Sequence, residues 1–289
     1  MEFIKKLAEL GYEKQANLLW GKMQEKELNS IWMGTKKAEE SQFVIGESKI
    51  GGLPHLPRDF DWPEHDEKPL AFLAQLNLEE VTKYDEQQLL PSRGFLSFFH
   101  EGGESVWGFD PKDKGGFCVI YHTGSADDLV ATELPVELED YLRFSPCKLT
   151  FSQKKSYPSW EDYFASDFPF IHRNKDSYCK EVQDAFFDMS DEGVVNKLFG
   201  YPNLVQGDIF LESQLVTNGL YCGNATGYDD PRRKELEQNT SEWMLLFQID
   251  SDNNANMMWG DVGRIFFVIK KSDLTNLNFD AIWSVFQCY

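Results

Sequence analysis

The chain has 289 residues, of which 42% are hydrophobic and 15% aromatic, and its formal net charge at pH 7 is −20. The apolar content is sufficient for a packed core and excludes a disordered chain. The excess of acidic side chains disfavours binding to nucleic-acid phosphates and to anionic membranes, since no local basic patch offsets it. We therefore expect a globular protein with neither a nucleic acid nor a membrane as its partner.

No targeting signal is recognised in the first twenty residues. Charged side chains interrupt the apolar ones there, whereas a secretory signal needs an unbroken apolar stretch of about 7–15 residues. The five cysteines are far apart and form no Cys-x-x-Cys pair, so neither a disulfide framework nor a structural zinc site is indicated. We expect a cytoplasmic protein with reduced thiols and no bound metal.

The predicted elements of the first half are one helix and three strands. The spacing of apolar residues predicts an amphipathic helix over about 1–20, interrupted at Gly11. Pro54, Pro57 and Pro63 exclude a regular helix in the segment that follows. Apolar runs then predict strands over 70–76, 94–99 and 117–121.

The second half is predicted to begin with helices and to continue with strands. One or two helices are expected between 175 and 199, with Gly200 as the stop signal. Continuous apolar runs predict strands over 243–250 and 264–269. The spacing of the apolar residues in 273–287 predicts a closing helix.

Three segments recur in the same order in both halves. Residues 52–56 correspond to 200–204, residues 72–77 to 245–250, and residues 94–99 to 263–268. The matches are short, but their order and the shared glutamine predict an internal duplication, with an insertion in the second half near 225–239. Duplicated halves commonly pack about a pseudo-twofold axis, and by architectural analogy the cleft between them is a natural ligand location.

Gln75 and Gln248 are the main candidates for a ligand site. A glutamine in a buried strand carries two donors and an acceptor that require partners. In one interpretation each amide bonds the neighbouring backbone and holds the two halves together. In the other, both amides face a shared cavity and recognise a polar ligand.

Two loops carry further candidates. His55 shares the segment 51–67 with His65 and several carboxylates, a set that could form a metal or an acid–base site. Because the two histidines are ten residues apart across a proline-rich loop, a solvated surface loop is the favoured interpretation. Asp261 lies between two glycines, which predicts a tight turn in which its carboxylate accepts backbone N–H groups. With Arg264 close in sequence, the same carboxylate is also placed to face a ligand.

No catalytic motif is present. The sequence contains no Gly-x-Ser-x-Gly, no phosphate-binding Gly-x-x-x-x-Gly-Lys-Ser/Thr and no His-Glu-x-x-His. The glycine pairs at 102–103 and 115–116 lack the strand–glycine–helix context of a dinucleotide fingerprint. We expect no cofactor and identify no catalytic residue.

The recurring segments and their surroundings resemble the YwqG-like family, bacterial proteins grouped as a domain of unknown function. The resemblance covers about residues 40–289, and it rests on 51–57, 62–63, 69–78, 90–91, 94–99, 200–202, Gln206, 245–250, 259–261 and Gly263. It implies a β-rich, roll-like mixed fold with peripheral helices in one compact unit. It implies no reaction, and family members are sometimes encoded beside bacterial toxin and immunity genes.

The fold class that we expect is α+β, as one domain over 1–289. It comprises β-rich, roll-like mixed sheets with peripheral helices, in two degenerate duplicated halves packed as one unit. The predicted organisation is an N-terminal helix over about 1–20, a first repeat over about 40–125, a helical connection over about 135–199 and a second repeat over about 200–289.

The function that we expect is recognition of a protein partner without catalysis. The acidic charge favours a basic partner, which in an immunity-like role would be a basic toxin. The same charge also serves colloidal solubility, which needs no partner. The alternative is a small-molecule-binding protein or a hydrolase with its ligand in the cleft between the repeats, oriented by Gln75, Gln248 and Asp261.

Overall fold

The computed structural model describes residues 2–9, 11, 13–103, 105–158 and 193–289. The strands in these residues are β1 Leu28–Lys37, β2 Lys49–Ile50, β3 His55–Pro57, β4 Glu64–His65, β5 Lys68–Pro69, β6 Ala71–Asn77, β7 Phe95–His100, β8 Phe117–His122, β9 Leu129–Ala131, β10 Cys147–Ser156, β11 Lys197–Leu198, β12 Trp243–Asp250, β13 Arg264–Lys270 and β14 Trp283–Gln287. The five strands predicted in both halves are confirmed to within one residue at each end.

The helices of the described residues are short and lie at the periphery. They are α1 Glu2–Glu9, α2 Glu13–Glu25, α3 Leu78–Val81, α4 Ile209–Val216, α5 Ala225–Tyr228, α6 Arg233–Leu236 and α7 Lys271–Thr275. Gly11, with a φ of 88°, separates α1 from α2, as its position predicts. In the described part of the chain, no helix combines the length and the apolar character needed to cross a bilayer.

Ten of these strands form one sheet, in the order β14-β13-β12-β11-β1-β10-β2-β6-β7-β8. At its centre, β1 and β10 pair from Leu28–Ser156 to Lys37–Cys147. We call β2, β6, β7 and β8 the first arm and β11, β12, β13 and β14 the second arm. The arms extend from opposite sides of this central pair.

The two arms pack face to face and enclose the main hydrophobic core. The ring centroid of Phe98 on β7 lies 4.5 Å from that of Phe247 on β12 and 5.3 Å from that of Phe267 on β13. Phe117 on β8 meets Trp283 on β14 at 5.1 Å. Because the arms are covered on both faces, their strands are nearly continuous apolar runs rather than alternating ones.

The outer face of the first arm has a smaller core of its own. Leu56, Leu70, Phe72 and Phe99 cluster there. β3 pairs with β9 in a separate two-stranded sheet, and β4 pairs with β5 in another. Three of these four strands, β3, β4 and β5, come from the proline-rich segment in which no regular helix was predicted.

The β-rich α+β class with peripheral helices is confirmed, but the sheets are not mixed. Every strand pair in the described residues is antiparallel. Parallel neighbours require crossover connections, whereas β6, β7 and β8 follow one another along the chain and pair antiparallel, as do β12, β13 and β14.

The predicted closing helix over 273–287 is wrong. Helix α7 ends at Thr275, and the chain then forms β14 along β13. On its other side the backbone N–H of Phe286 donates to the carbonyl of Trp107. The apolar residues of this segment have helical spacing, but pairing with a buried strand overrides that local signal.

The predicted helical connection over 135–199 is wrong where the structure describes it. Its range includes β10 and β11, which are central to the sheet. In β10, Leu149 and Phe151 pack on the core and alternate with polar residues, which is a strand pattern. The helices predicted from 175 onward fall mainly in residues 159–192, which lie outside the described residues.

Candidate functional site

Gln75, on β6, is fully buried and uses its amide to hold the loop that precedes the strand. Its Oε1 accepts the backbone N–H of His55 at 2.8 Å, and its Nε2 donates to the carbonyl of Glu47 at 3.2 Å. The same nitrogen lies 3.4 Å from His55 Nδ1. The amide therefore has a backbone partner at each end.

Gln248, on β12, is also fully buried and makes the equivalent contacts in the second arm. Its Oε1 accepts the N–H of Asn203 at 2.9 Å, and its Nε2 donates to the carbonyl of Val195 at 2.9 Å. Its Nε2 lies 3.4 Å from Asn203 Oδ1. Each glutamine thus bonds backbone within its own arm and does not bridge the arms, while ligand recognition by these amides stays a prediction.

A buried lysine accompanies each glutamine. Lys49 pairs with Gln75 across β2 and β6, and Lys197 pairs with Gln248 across β11 and β12. The ammonium of Lys49 donates to the carbonyl of Leu53 at 2.9 Å, and that of Lys197 donates to the carbonyl of Tyr201 at 2.6 Å. Sequence reasoning missed both, although each lysine stands five residues before the proline of its loop.

Glu40 provides the counter-charge in the first arm. Its Oε2 lies 2.7 Å from the Lys49 ammonium, and its Oε1 accepts the N–H of Leu53 at 2.6 Å. Burial lowers the pKa of Lys49, and Glu40 opposes that shift. Gly52 has a φ of 70°, and a Cβ at this position would collide with Glu40 Oε1, so the loop requires glycine there.

His55 is buried rather than part of a solvated loop. Its Nδ1 accepts the N–H of Gly46 at 3.0 Å, and burial lowers its pKa to about 4, helped by the charge of Lys49. His65 lies on β4, in a different small sheet. Among the described residues, no group of three His, Cys, Asp or Glu side chains is arranged to hold a metal ion.

Asp261 and Arg264 are separated by the turn that precedes β13. The turn is present, with Val262 at a φ of 51°, but the Asp261 side chain is exposed and has no hydrogen-bond partner among the described residues, so the predicted carboxylate–amide bond is wrong. Arg264 instead points to the second-arm glutamine loop, where its Nη1 donates to the carbonyl of Asn203 at 3.0 Å. The structure therefore brings Arg264 together with Gln248, through Asn203.

Arg264 also forms a buried ion pair that the sequence did not indicate. Its Nε lies 3.1 Å from Asp250 Oδ2. The same oxygen accepts the N–H of Val195 at 2.9 Å. Desolvation raises the pKa of Asp250, and the charge of Arg264 opposes that effect. The ion pair joins β12 to β13 within the second arm. It is a contact between charges rather than a hydrogen bond, because Arg264 Nε has no hydrogen-bond partner among the described residues.

A second titratable cluster lies in the long connection before β12. Tyr228, at the end of α5, donates its hydroxyl to Glu212 Oε2 at 3.0 Å. Burial raises the pKa of Glu212 to about 7, and the carboxylates of Asp208 and Asp113 add to the shift. Burial also raises the pKa of the nearby Cys222 thiol to about 11. No motif in the sequence marks this cluster, because its members are brought together by loop packing.

The surface beside β9 is strongly acidic. No lysine or arginine occurs between residues 115 and 142. We call residues 126–140 the acidic segment; its exposed acids are Asp127, Asp128, Glu133, Glu137, Glu139 and Asp140. Because Pro57 pairs with Leu129, the exposed Arg58 and Asp59 follow β3 beside this segment and together add no net charge to it.

The comparison with known families matches most of the chain to one of them. A family model, described as Domain of unknown function (DUF1963), matches residues 48–288, which includes both arms of the sheet and the acidic segment. The chain therefore belongs to the DUF1963 family. The comparison with curated proteins gives no match.

Proposed function

We propose that this protein is a non-catalytic, cytoplasmic binding protein that recognises a basic protein. The observation that carries the proposal is the acidic segment, in which six acidic side chains are exposed and no lysine or arginine intervenes in the sequence. One of the six, Asp140, lies 3.6 Å from the guanidinium of Arg143, which leaves five without a cation of this loop beside them. Neutralisation of a basic toxin, as an immunity protein would achieve it, is the specific form of this function that we favour.

Charge of one sign on one surface favours such a role for a physical reason. Complementary potentials steer the encounter of two proteins and suppress partners of the wrong charge, and both effects weaken as salt rises. The net charge of −20 adds a long-range field of the same sign. Association with a basic partner is thus expected to be fast and salt-dependent.

The test compares two variants that lose the same number of negative charges at different places on the surface. In one variant the six acids of the acidic segment are changed to their amides, for example Asp128→Asn and Glu137→Gln. In a control variant six exposed acids elsewhere are changed in the same way; they are Glu13, Glu79, Asp229, Glu235, Glu242 and Asp280. Both variants and the native protein are tagged and used to capture proteins from a lysate of the source organism at physiological salt.

We expect the native protein and the control variant to retain one basic protein at near one-to-one ratio, and the acidic-segment variant to lose it. Mass spectrometry of the captured material identifies and quantifies the companion. The proposal fails if no companion survives physiological salt, or if the acidic-segment variant retains it as well as the native protein does.

A second candidate function is that of a small-molecule-binding protein or a hydrolase. The observation that favours it is the Glu212–Tyr228 pair, because a carboxyl group with a pKa of about 7 is suited to acid–base catalysis at neutral pH. The test is a screen of the native protein against p-nitrophenyl esters and phosphates. Activity that is lost in Glu212→Gln and kept in the exposed control Glu235→Gln would favour this function over partner binding.

We also infer that the two arms are degenerate copies of one unit in a roll-like arrangement, and that the chain falls in the YwqG-like part of its family. The matched lysine, glutamine and proline of each arm, and their matched hydrogen bonds, support the duplication. Separate sequence profiles of the two arms, built from family members, should align at these three residues. Profiles that align no better than shuffled ones would contradict it.

A further inference from the structure

The loop that follows β9 presents an apolar side chain to solvent in the middle of the acidic segment. Val136 is 90% exposed, the highest value among the exposed large hydrophobic residues of the described chain, and Tyr141 is 62% exposed. Between them, Leu138 is buried in the main core, as is the following Leu142. Leu134, two residues before Val136, packs against the same core, so the loop is held on both sides of Val136 while Val136 faces outward.

Arg143 holds this loop in one shape. Its Nη2 donates to the carbonyl of Pro135 at 2.6 Å and to that of Leu138 at 2.9 Å, and its Nε donates to the carbonyl of Leu138 at 3.1 Å. Two successive turns complete the arrangement, with Leu138 N–H donating to Pro135 and Leu142 N–H to Glu139. A guanidinium that bonds several carbonyls of one loop restricts its conformations.

A loop that is already ordered loses little conformational freedom when it binds. Preorganisation of this kind lowers the entropic cost of association, so that one apolar anchor contributes more to affinity. Anchors of protein interfaces typically lie in desolvated pockets surrounded by polar contacts. Val136 has the polar surroundings of such an anchor, since the exposed Glu133, Glu137 and Glu139 stand around it in sequence, and the partner would supply the pocket.

The charges around Val136 determine which partner fits. A second copy of this chain would bring a net charge of −20 against the same acids, and nucleic acids and anionic membranes would be repelled as well. A protein surface with an apolar pocket and a rim of lysine or arginine side chains is complementary to both features.

On the basis of the proposed function, we infer that the loop 133–142 is the anchor of partner binding, and that Val136 inserts into an apolar pocket rimmed by basic side chains on the partner protein. Arg143 acts as a positioning residue that presents Val136, without contacting the partner itself.

The experiment places a photo-crosslinking amino acid, p-benzoylphenylalanine, at position 136 of the full chain. The control carries it at position 44, because Val44 is also highly exposed, at 73%, and lies outside the acidic segment. Each protein is irradiated in a lysate of the source organism. We expect a covalent adduct with a basic protein from position 136 only, and a loss of that adduct when NaCl is raised from about 0.15 to about 0.5 M.

Substitutions measure the contribution of the anchor. In the capture assay, Val136→Ser and Tyr141→Ser should each reduce retention of the companion at least about tenfold, whereas Val44→Ser should leave it unchanged. Arg143→Met should reduce retention with Val136 still present, and the thermal transition shows whether that variant remains folded.

The outcomes distinguish this inference from the proposed function. If the companion is lost from the acidic-segment variant but fully retained by Val136→Ser, the function stands and the anchor is wrong. Equal adducts at positions 136 and 44, or an adduct at 136 with a second copy of this chain, would also overturn the anchor. If the native protein captures no companion at all, the proposed function itself fails.

Discussion

In both arms of the sheet a lysine, a glutamine and a proline-containing loop occupy equivalent positions, but the groups around them differ. In the first arm Glu40 neutralises Lys49, and His55 lies beside Gln75. In the second arm Asn203 stands in the place of the histidine. The glutamine-to-loop hydrogen bonds are the same in both, and the charged groups are not.

The largest difference is the Asp250–Arg264 ion pair. In strand register, Asp250 pairs with Arg264 in the second arm, and Asn77 pairs with Phe95 in the first. One scaffold therefore accommodates either a buried ion pair or a neutral pair. This indicates that the loop-holding amides are the structural requirement, while the charges are free to vary around them.

Breaking the ion pair has the largest expected effect. Arg264→Phe leaves the buried Asp250 without its counter-charge and should cost about 3–5 kcal/mol of unfolding free energy. The double variant Asp250→Asn with Arg264→Phe copies the first arm and should recover most of that loss. Urea denaturation of the native protein, the single variant and the double variant measures the loss and its recovery. A loss of less than about 1 kcal/mol in Arg264→Phe would show that the ion pair does not stabilise the fold.

The glutamines should contribute equally if the arms are equivalent. Gln75→Leu and Gln248→Leu each leave a buried N–H and a buried carbonyl without a partner, at a cost of about 1–3 kcal/mol. Gln153→Leu, at an exposed position of β10, is the control. An unchanged or raised melting temperature in either variant would show that its amide is not structural and would favour a role of that amide in ligand binding.

The long connection that only the second arm carries is expected to make stability depend on pH. Because burial raises the pKa of Glu212 from 4.5 to about 7, the folded chain binds this proton more tightly than the unfolded chain. The stabilisation is present below about pH 4.5 and is lost as pH rises through 7. Glu212→Gln keeps an acceptor for the Tyr228 hydroxyl but does not titrate. Between pH 5 and pH 8 its free energy of unfolding should fall by about 1–2 kcal/mol less than that of the native protein, after allowance for solvent screening.

The control for this prediction is Glu235→Gln, an exposed substitution with the same change of charge. Denaturant titrations at pH 5 and pH 8 give the two free energies for each protein. Identical pH dependence in the native protein and in Glu212→Gln would mean that the carboxyl group titrates normally.

The smallest effect concerns His100, which stands in the first arm where Ile269 stands in the second. His100 is buried beside Phe117 and Phe267, and desolvation lowers its pKa to about 3. Its neutral form stabilises the fold above pH 6.5, and this contribution is lost as pH falls from 6.5 towards 3. His100→Ile should therefore reduce the loss of stability between pH 7 and pH 5.5 by about 1 kcal/mol. His65→Gln is the control. An equal loss of unfolding free energy between pH 7 and pH 5.5 in both variants would show that His100 is not the cause of the acid sensitivity.

Residue patterns along the chain were sufficient for five strands of the two arms and for the positions of Gln75 and Gln248 inside buried strands. Apolar runs of strand length bounded by glycine and proline are local signals, and they predicted β6, β7, β8, β12 and β13 correctly. The equivalence of the buried lysines could also have been predicted from the sequence, because Lys49 and Lys197 stand at the same distance from their prolines.

Tertiary structure decided what local patterns do not encode. Strand β14 has helical spacing of its apolar residues and became a strand because β13 offered it a buried edge. The pairs Glu212–Tyr228 and Asp250–Arg264 join residues 16 and 14 positions apart, and only packing brings them into contact. The exposure of Val136 could not be predicted from the sequence either, since a valine with leucines two residues before and after it is typical of a core segment. Arg143, the half-buried Leu134 and the buried Leu138 hold the loop with Val136 outward, and that arrangement depends on contacts made across the loop.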